Sequence, residues 1–404
     1  MKRKRDRWDS SSDDEEQEND NNHDEKSSST CNHNNNKDET KKDYQNNIIN
    51  NDIVSTSSMN QQQQQKYKLH NPLLQGCRSV YTSYERLSRL DEGTYGIVWK
   101  AKDNTTNEIV ALKQIKFDPL ITKDQGFPIA ALREINVLLS LCHESIVSVK
   151  EMVVGDDFDK VFMVMEYMEM DLQEAMKRSS GSNNNNNNNN NNPYPQAELK
   201  NMLYQIISAT KHVHDKWYIH RDLKTSNILV HKSGKIALCD FGLARKYQLP
   251  LKALTQTVIT LWYRPIELLF GETVYGPAVD MWSIGCIFGE LLKKKAILQG
   301  QGELDQIDRI FKLVGAPSDE HWPEFKLLPN SNLLRWRQKG EPMLKSTFPV
   351  NSIIGGQTFL DANGYNLLKG LLELNPKKRM TAEQALNHDY FKEGVKRQTP
   401  RFCF

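Results

Sequence analysis

One stretch of this chain holds residue types that could do chemistry together. It reads His220-Arg221-Asp222-Leu223-Lys224-Thr225-Ser226-Asn227, and an apolar segment then leads to Asp240-Phe241-Gly242. A carboxylate, an ammonium and an amide at this spacing suit the transfer of a phosphoryl group to a hydroxyl. Such a transfer needs the acceptor held in line with the phosphorus and cations to spread the developing charge. Asp222 is placed to orient the acceptor and take its proton, and Lys224 to steady the moving phosphate. Asn227 and Asp240 offer the oxygen ligands that a hard cation such as Mg²⁺ takes. Either triplet alone is equally compatible with a buried polar turn between strands; the two in order, with Asn227 correctly spaced, favour chemistry.

Elements that could position these groups are legible on both sides. Ile97–Lys102 and Ile109–Ile115 read as two strands joined by the turn Asp103–Asn107. Before them Glu92-Gly93-Thr94-Tyr95-Gly96 reads as a glycine-containing hairpin, whose backbone could lie close over phosphate oxygens. Strand geometry puts Ala111 and Lys113 on one face, a small residue beside a cation, which suits a flat base and its phosphates. Residues 129–141 carry a helical period with Glu134 within it, a candidate ion-pair partner for Lys113. Phe162–Tyr167 is an apolar strand that leads to Asp171, a cap for the next helix. Gln196–Lys216 is an amphipathic helix whose methionines are core. Residues 279–288 form a helix apolar on nearly all sides, so Asp280 within it must find donors, which the backbone near Asp222 can supply.

Composition bounds the rest. Lys and Arg total 53 against 51 Asp and Glu, a formal charge of +2, so bulk charge predicts neither a nucleic-acid nor a membrane partner. Six scattered cysteines without a C-x-x-C pair read as reduced thiols in an intracellular protein. No apolar run is long enough to cross a membrane. Residues 1–75 are polar and low in complexity, and are expected to be disordered. Lys2-Arg3-Lys4-Arg5 is a nuclear-localisation candidate. An insert at 179–195, with asparagine at every position from 183 to 192, is expected to be a disordered surface loop between two helices. A domain over 76–394 and a short tail over 395–404 complete the division.

With these residues in place, the chain resembles a eukaryotic protein kinase of the cyclin-dependent family. Pro128-Ile129-Ala130-Ala131-Leu132-Arg133-Glu134 is similar to the helix that names the PITSLRE and PISSLRE branches. Gly76-Cys77-Arg78-Ser79-Val80, Asp91 and Leu251-Lys252-Ala253 resemble the PITSLRE branch. The resemblance implies an α+β two-lobe fold, with a small β-rich lobe, one key helix and a larger helical lobe. It implies ATP and Mg²⁺, serine/threonine transfer with a preference for a following proline, protein substrates, and a cyclin docked on Pro128–Glu134. It also points to transcription, RNA processing or cell-cycle control in the nucleus. By position, Leu90, Asp91, Glu92, Gly93, Thr94, Tyr95, Gly96, Ile97, Val98, Ala111, Lys113, Glu166, Met168 and Asp171 would surround ATP. Thr260 would bond Asp222 and Lys224. Thr255 matches the activating phosphorylation site and Arg133, Arg221 and Arg245 its clamp; Thr94 and Tyr95 match an inhibitory pair.

Three departures from the family pattern stand out. Asp91 replaces the first loop glycine, Pro265-Ile266-Glu267 replaces Ala-Pro-Glu, and Ile259 stands where Val is usual. Glu267 is still expected to meet a buried arginine, Arg379. Two other classes of function were weighed: a non-catalytic scaffold of the same fold, and a nucleic-acid binder acting through the basic tail. The joint presence of Lys113, Glu134, Asp222, Asn227 and Asp240 favours an enzyme.

Overall fold

The computed structural model describes residues 76–404, except 94–95, 118–126, 158–159, 182–193, 256–257, 333–340 and 355–356. The expectations for residues 1–75, for Thr94 and Tyr95 and for the asparagine run therefore lie outside the described residues. Of Asp91, Glu92 and Gly93 only the backbone is described.

The first part of the domain is one antiparallel sheet crossed by a helix. Its elements are α1 (Val80–Ser83), β1 (Tyr84–Gly93), β2 (Gly96–Asp103), β3 (Ile109–Gln114), α2 (Ile129–Ser140), β4 (Val149–Val154) and β5 (Val161–Glu166). The strand order is β1-β2-β3-β5-β4. Alternation along β3 explains its two faces. Val110 and Leu112 join Val80, Tyr84, Trp99, Phe162 and Val164 in an apolar cluster behind the sheet, whereas Ala111 and Lys113 border the cleft in front. The segment ahead of β1 is fastened to this sheet. Arg78 Nη2 lies 2.7 Å from Asp103 Oδ2 and 2.5 Å from Glu151 Oε1, and the Tyr84 hydroxyl also donates to Glu151.

Gly96 has a packing reason as well as a loop reason. Its φ is +146°, and a Cβ there would fall 1.9 Å from the carbonyl oxygen of Gln114 on β3. The closeness of the two strands, rather than access to phosphate, excludes a side chain at this position.

The second part is mainly helical. It contains β6 (Met170–Asp171), α3 (Leu172–Gly181), α4 (Gln196–Asp215), β7 (Tyr218–Ile219), β8 (Ile228–Val230), β9 (Ile236–Leu238), β10 (Arg245–Lys246), α5 (Ile266–Leu269), α6 (Ala278–Lys293) and α7 (Glu303–Val314), with shorter helices beyond. As its all-round apolarity predicts, every residue of α6 from Val279 to Leu292 is buried. Gly285 lets the Leu371–Leu372 turn approach, since a Cβ would stand 2.8 Å from the Leu372 side chain. Met202, Leu203, Ile206 and Ile207 of α4 are core, as expected. The tail after residue 394 lies along α4: Gln398 N donates to the Ala197 carbonyl at 3.0 Å, and Arg397 sits over the Tyr204 ring at 3.5 Å. This is the α+β two-lobe kinase architecture that the resemblance implies.

Candidate active site

Residues His220–Asn227 form the loop between β7 and β8, and Asp240 follows β9 after one residue, Cys239. Asp222 is held from three sides. Lys224 Nζ stands 2.9 Å from Oδ2, Thr260 Oγ1 donates to Oδ1 at 2.9 Å, and Asn227 Nδ2 donates to Oδ2 at 2.9 Å. Lys224 also reaches Thr260 Oγ1 at 3.3 Å. Burial alone would raise the Asp222 carboxyl, but the Lys224 and Thr260 bonds and charge outweigh it and hold it below the ordinary carboxylate range. The group is thus ionised at neutral pH and able to accept a proton. With Nδ2 of Asn227 committed, its Oδ1 is the side-chain atom left to meet a cation.

The base of this loop is anchored as its sequence predicts. Asp280 on α6 is fully buried and accepts from His220 N at 2.9 Å, Arg221 N at 3.0 Å and His214 Nε2 at 2.9 Å. Burial works against its charge, yet the His214 bond and the neighbouring His214 and His220 charges hold the carboxyl below its usual value. Below Asp240, the Phe241 ring packs on His220 with centroids 4.6 Å apart.

Across the cleft, Lys113 Nζ meets both oxygens of Glu134, at 2.7 and 2.8 Å, and so joins β3 to α2. A cavity of about 500 Å³ lies between the lobes. Leu90, Gly96, Val98, Ala111, Lys113, Glu134, Glu166, Met168, Asp171, Asn227 and Asp240 all line it. Ile97 does not. It packs on the cluster behind the sheet, because alternation that turns Val98 to the cavity turns its neighbour away. The Glu166 carboxylate is taken by Lys235 Nζ at 2.5 Å and Ser148 N at 2.9 Å, and its backbone N–H by the Ser148 carbonyl at 3.1 Å, so its carbonyl is the group left for a ligand. Asp171 caps α3 through Glu174 N at 2.8 Å.

The arginines also converge. Burial and the charges of Arg221 and Arg133 push the Arg245 guanidinium down from its ordinary value, so both lie near enough to act on it. Arg221 Nη1 donates to the Tyr275 hydroxyl at 2.9 Å, and that hydroxyl donates to the Thr255 carbonyl at 2.5 Å. Thr255 itself is exposed.

The protein kinase domain family matches residues 84–391. Cyclin-dependent kinase G-2 of Oryza sativa subsp. indica is 46% identical over 324 residues, which are 80% of this chain and 43% of that protein. Cyclin-dependent kinase G1 of Arabidopsis thaliana is 46% identical over 323 residues, 80% of this chain and 50% of that protein. Cyclin-dependent kinase 11B of Rattus norvegicus is 43% identical over 322 residues, 80% of this chain and 69% of that protein. The chain belongs to the cyclin-dependent protein kinase family. Within it, the chain falls in the PITSLRE branch. The match covers half or less of the length of both plant relatives.

The departure at Pro265-Ile266 keeps its neighbours. Glu267 pairs with Arg379 at 2.7 and 2.9 Å, both buried, so the shifted proline leaves that bridge whole. Sequence reasoning missed part of the cavity lining, including Val147, Met165, Leu229 and Cys239. Period-2 alternation from Met163 along β5 was a signal for Met165. It also missed Glu290, buried on α6 beneath the catalytic loop. Burial raises the Glu290 carboxyl, and the bonds it accepts from Tyr263 and Thr225 only partly oppose this.

Proposed function

We propose that this kinase transfers the γ-phosphate of ATP to Ser or Thr hydroxyls that precede proline, with a cyclin seated on α2. The observation that carries the reading is the ionised Asp222, bonded to Lys224, Thr260 and Asn227, the last of which lines the same cavity as Lys113 and Glu134. Asp222 would orient the acceptor hydroxyl and take its proton, Lys224 would hold the transferring phosphate, and Lys113 would fix the ATP phosphates. Adenine would lie between Val98, Ala111 and Leu229, bonded to the hinge backbone near Met168. Among the described residues no three His, Cys, Asp or Glu side chains gather into a ready cation site. The donors Asn227 and Asp240 fit Mg²⁺, which commonly takes one or two protein oxygens and completes its shell with substrate phosphates. When bound, it would neutralise phosphate charge.

The proline preference is supported at Ile259. This residue has φ +66°, and its carbonyl accepts from Arg264 Nε at 3.2 Å and Nη2 at 3.1 Å. A carbonyl so engaged is not open to an N–H of the residue after the acceptor, and proline is the residue without one. Cyclin docking is supported by Ile129 and Leu132, 57% and 51% exposed on α2 while Glu134 faces inward. A protein seated there would hold α2, and through Glu134 the position of Lys113. Phosphate on Thr255 would join Arg133, Arg221 and Arg245, and phosphate on Thr94 or Tyr95 would repel ATP. Residues Lys2–Arg5 would direct the protein to the nucleus, where the branch resemblance points to transcription or RNA-processing substrates.

The test is to purify the tagged chain with its bound partners and assay a Ser-Pro peptide. Asp222→Asn is expected to lower kcat by about two to four orders of magnitude, the range of a positioned acid–base group, while ATP and cyclin still bind. Turnover by that variant comparable to the wild type removes Asp222 from the role.

A further inference from the structure

The catalytic loop rests on a carboxyl whose hydrogen bonds come from two hydroxyls. Glu290 Oε1 accepts from Thr225 Oγ1 at 3.1 Å and Oε2 from the Tyr263 hydroxyl at 2.7 Å. The two hydroxyls are 3.3 Å apart, and all three residues are buried. Each hydroxyl meets a different oxygen of the one carboxyl. Removing one hydroxyl leaves a buried acceptor empty, a loss the surrounding segments can relieve only by moving.

What those segments carry gives the triangle its meaning. Thr225 directly follows Lys224. Tyr263 N bonds the Thr260 carbonyl at 2.9 Å, and Ser283 on α6 donates to the Tyr263 carbonyl at 3.0 Å. Lys224 and Thr260 are two of the groups that hold Asp222 and they touch each other. Both therefore stand on backbone pinned from below to α6, one by Thr225 and the other by Tyr263.

We infer that Thr225 is a positioning residue for phosphoryl transfer: its hydroxyl, fixed on Glu290 beside Tyr263, sets Lys224 against Asp222 and Thr260. This rests on the roles given above to Asp222 and Lys224. Thr225 touches neither Asp222 nor the cavity, so it acts on the transfer step and not on nucleotide binding.

The experiment uses the kinase purified with its bound partners and compares Thr225→Val with Thr225→Ser on the Ser-Pro peptide. Valine keeps the volume and removes the hydroxyl; serine keeps the hydroxyl and removes the methyl. The expected result for Thr225→Val is a kcat about five-fold lower, the size of one lost buried hydrogen bond, with KM for ATP unchanged and the thermal midpoint lowered by a few degrees. Thr225→Ser is expected to recover kcat to within about two-fold of the wild type. Wild-type kcat in Thr225→Val overturns the inference, as does an equal fall in ATP affinity. A Thr225→Ser variant as slow as Thr225→Val also overturns it, because the effect then belongs to methyl packing. Should the valine variant not fold, Thr225→Ala, which removes hydroxyl and methyl together, takes its place, and Thr225→Ser is read against it by the same criterion. Failure of the underlying reading appears elsewhere, as wild-type turnover by Asp222→Asn.

Discussion

Two carboxylate–cation pairs, one in each lobe, are built to opposite ends. Arg379 and Glu267 are 0% and 2% exposed and meet through two parallel bonds. The same guanidinium also donates to the carbonyls of Glu373, Ala278 and Leu374 and lies over the Trp282 ring at 5.1 Å. Lys113 and Glu134 are 13% and 6% exposed, and a single ammonium serves both oxygens. The first pair ties pieces of one lobe that are buried on all sides. The second ties a sheet to a helix whose outer face carries exposed Ile129, Leu132 and Leu139. A pair of the first kind is architecture, since neither member can be lost without stranding a buried charge. A pair of the second kind is a contact that whatever covers α2 can strengthen or weaken.

The largest effect that separates them is on stability. Glu267→Gln leaves the Arg379 charge buried without its counter-ion and is expected to cost about 3–5 kcal/mol, read as a lower denaturant midpoint. Glu134→Gln is expected to cost less, about 1–2 kcal/mol, because Lys113 borders the cavity and keeps access to solvent there. Its effect falls on the chemistry instead: kcat/KM should drop by about a hundred-fold, the consequence of a reacting group displaced by an ångström. If Glu134→Gln destabilises the fold as much as Glu267→Gln does, the distinction between the pairs fails.

The two pairs also show what could be read in advance. Both were legible, but on different grounds: Lys113 lies on an alternating strand and Glu134 on a helical period, whereas the pairing of Glu267 with Arg379 came from the family resemblance. Asp280 was legible for another reason, since a carboxylate inside an apolar helix must have donors. The Thr225–Tyr263–Glu290 triangle was not. Its members are 38, 65 and 27 residues apart, and a threonine, a tyrosine and a glutamate have no spacing rule that would join them. Ile97 failed for a related reason. The resemblance gave a whole loop to ATP, whereas the pleat of β2 gives only alternate residues to the cavity. The tail after residue 394 has too little pattern to foretell its place along α4, which depends on the Ala197 carbonyl and the Tyr204 ring.

The smallest expected change in stability is the sharpest test of the second pair. Leu132 is 51% exposed, so Leu132→Glu should alter unfolding free energy by no more than about 0.5 kcal/mol, as a surface substitution does. A charge placed at the centre of an apolar contact, by contrast, leaves a buried ion without a partner when a protein docks there. The variant should therefore lose its co-purifying cyclin and, with it, most of its kcat/KM, although Lys113, Glu134 and Asp222 are all intact. Loss of activity with the cyclin still bound would mean that α2 sets Lys113 without a docked protein. Full activity with the cyclin retained would move the docking surface away from Leu132. Marked unfolding would mean that Leu132 is held by the domain itself, and the contrast between a sealed pair and a switchable one would lose its physical basis.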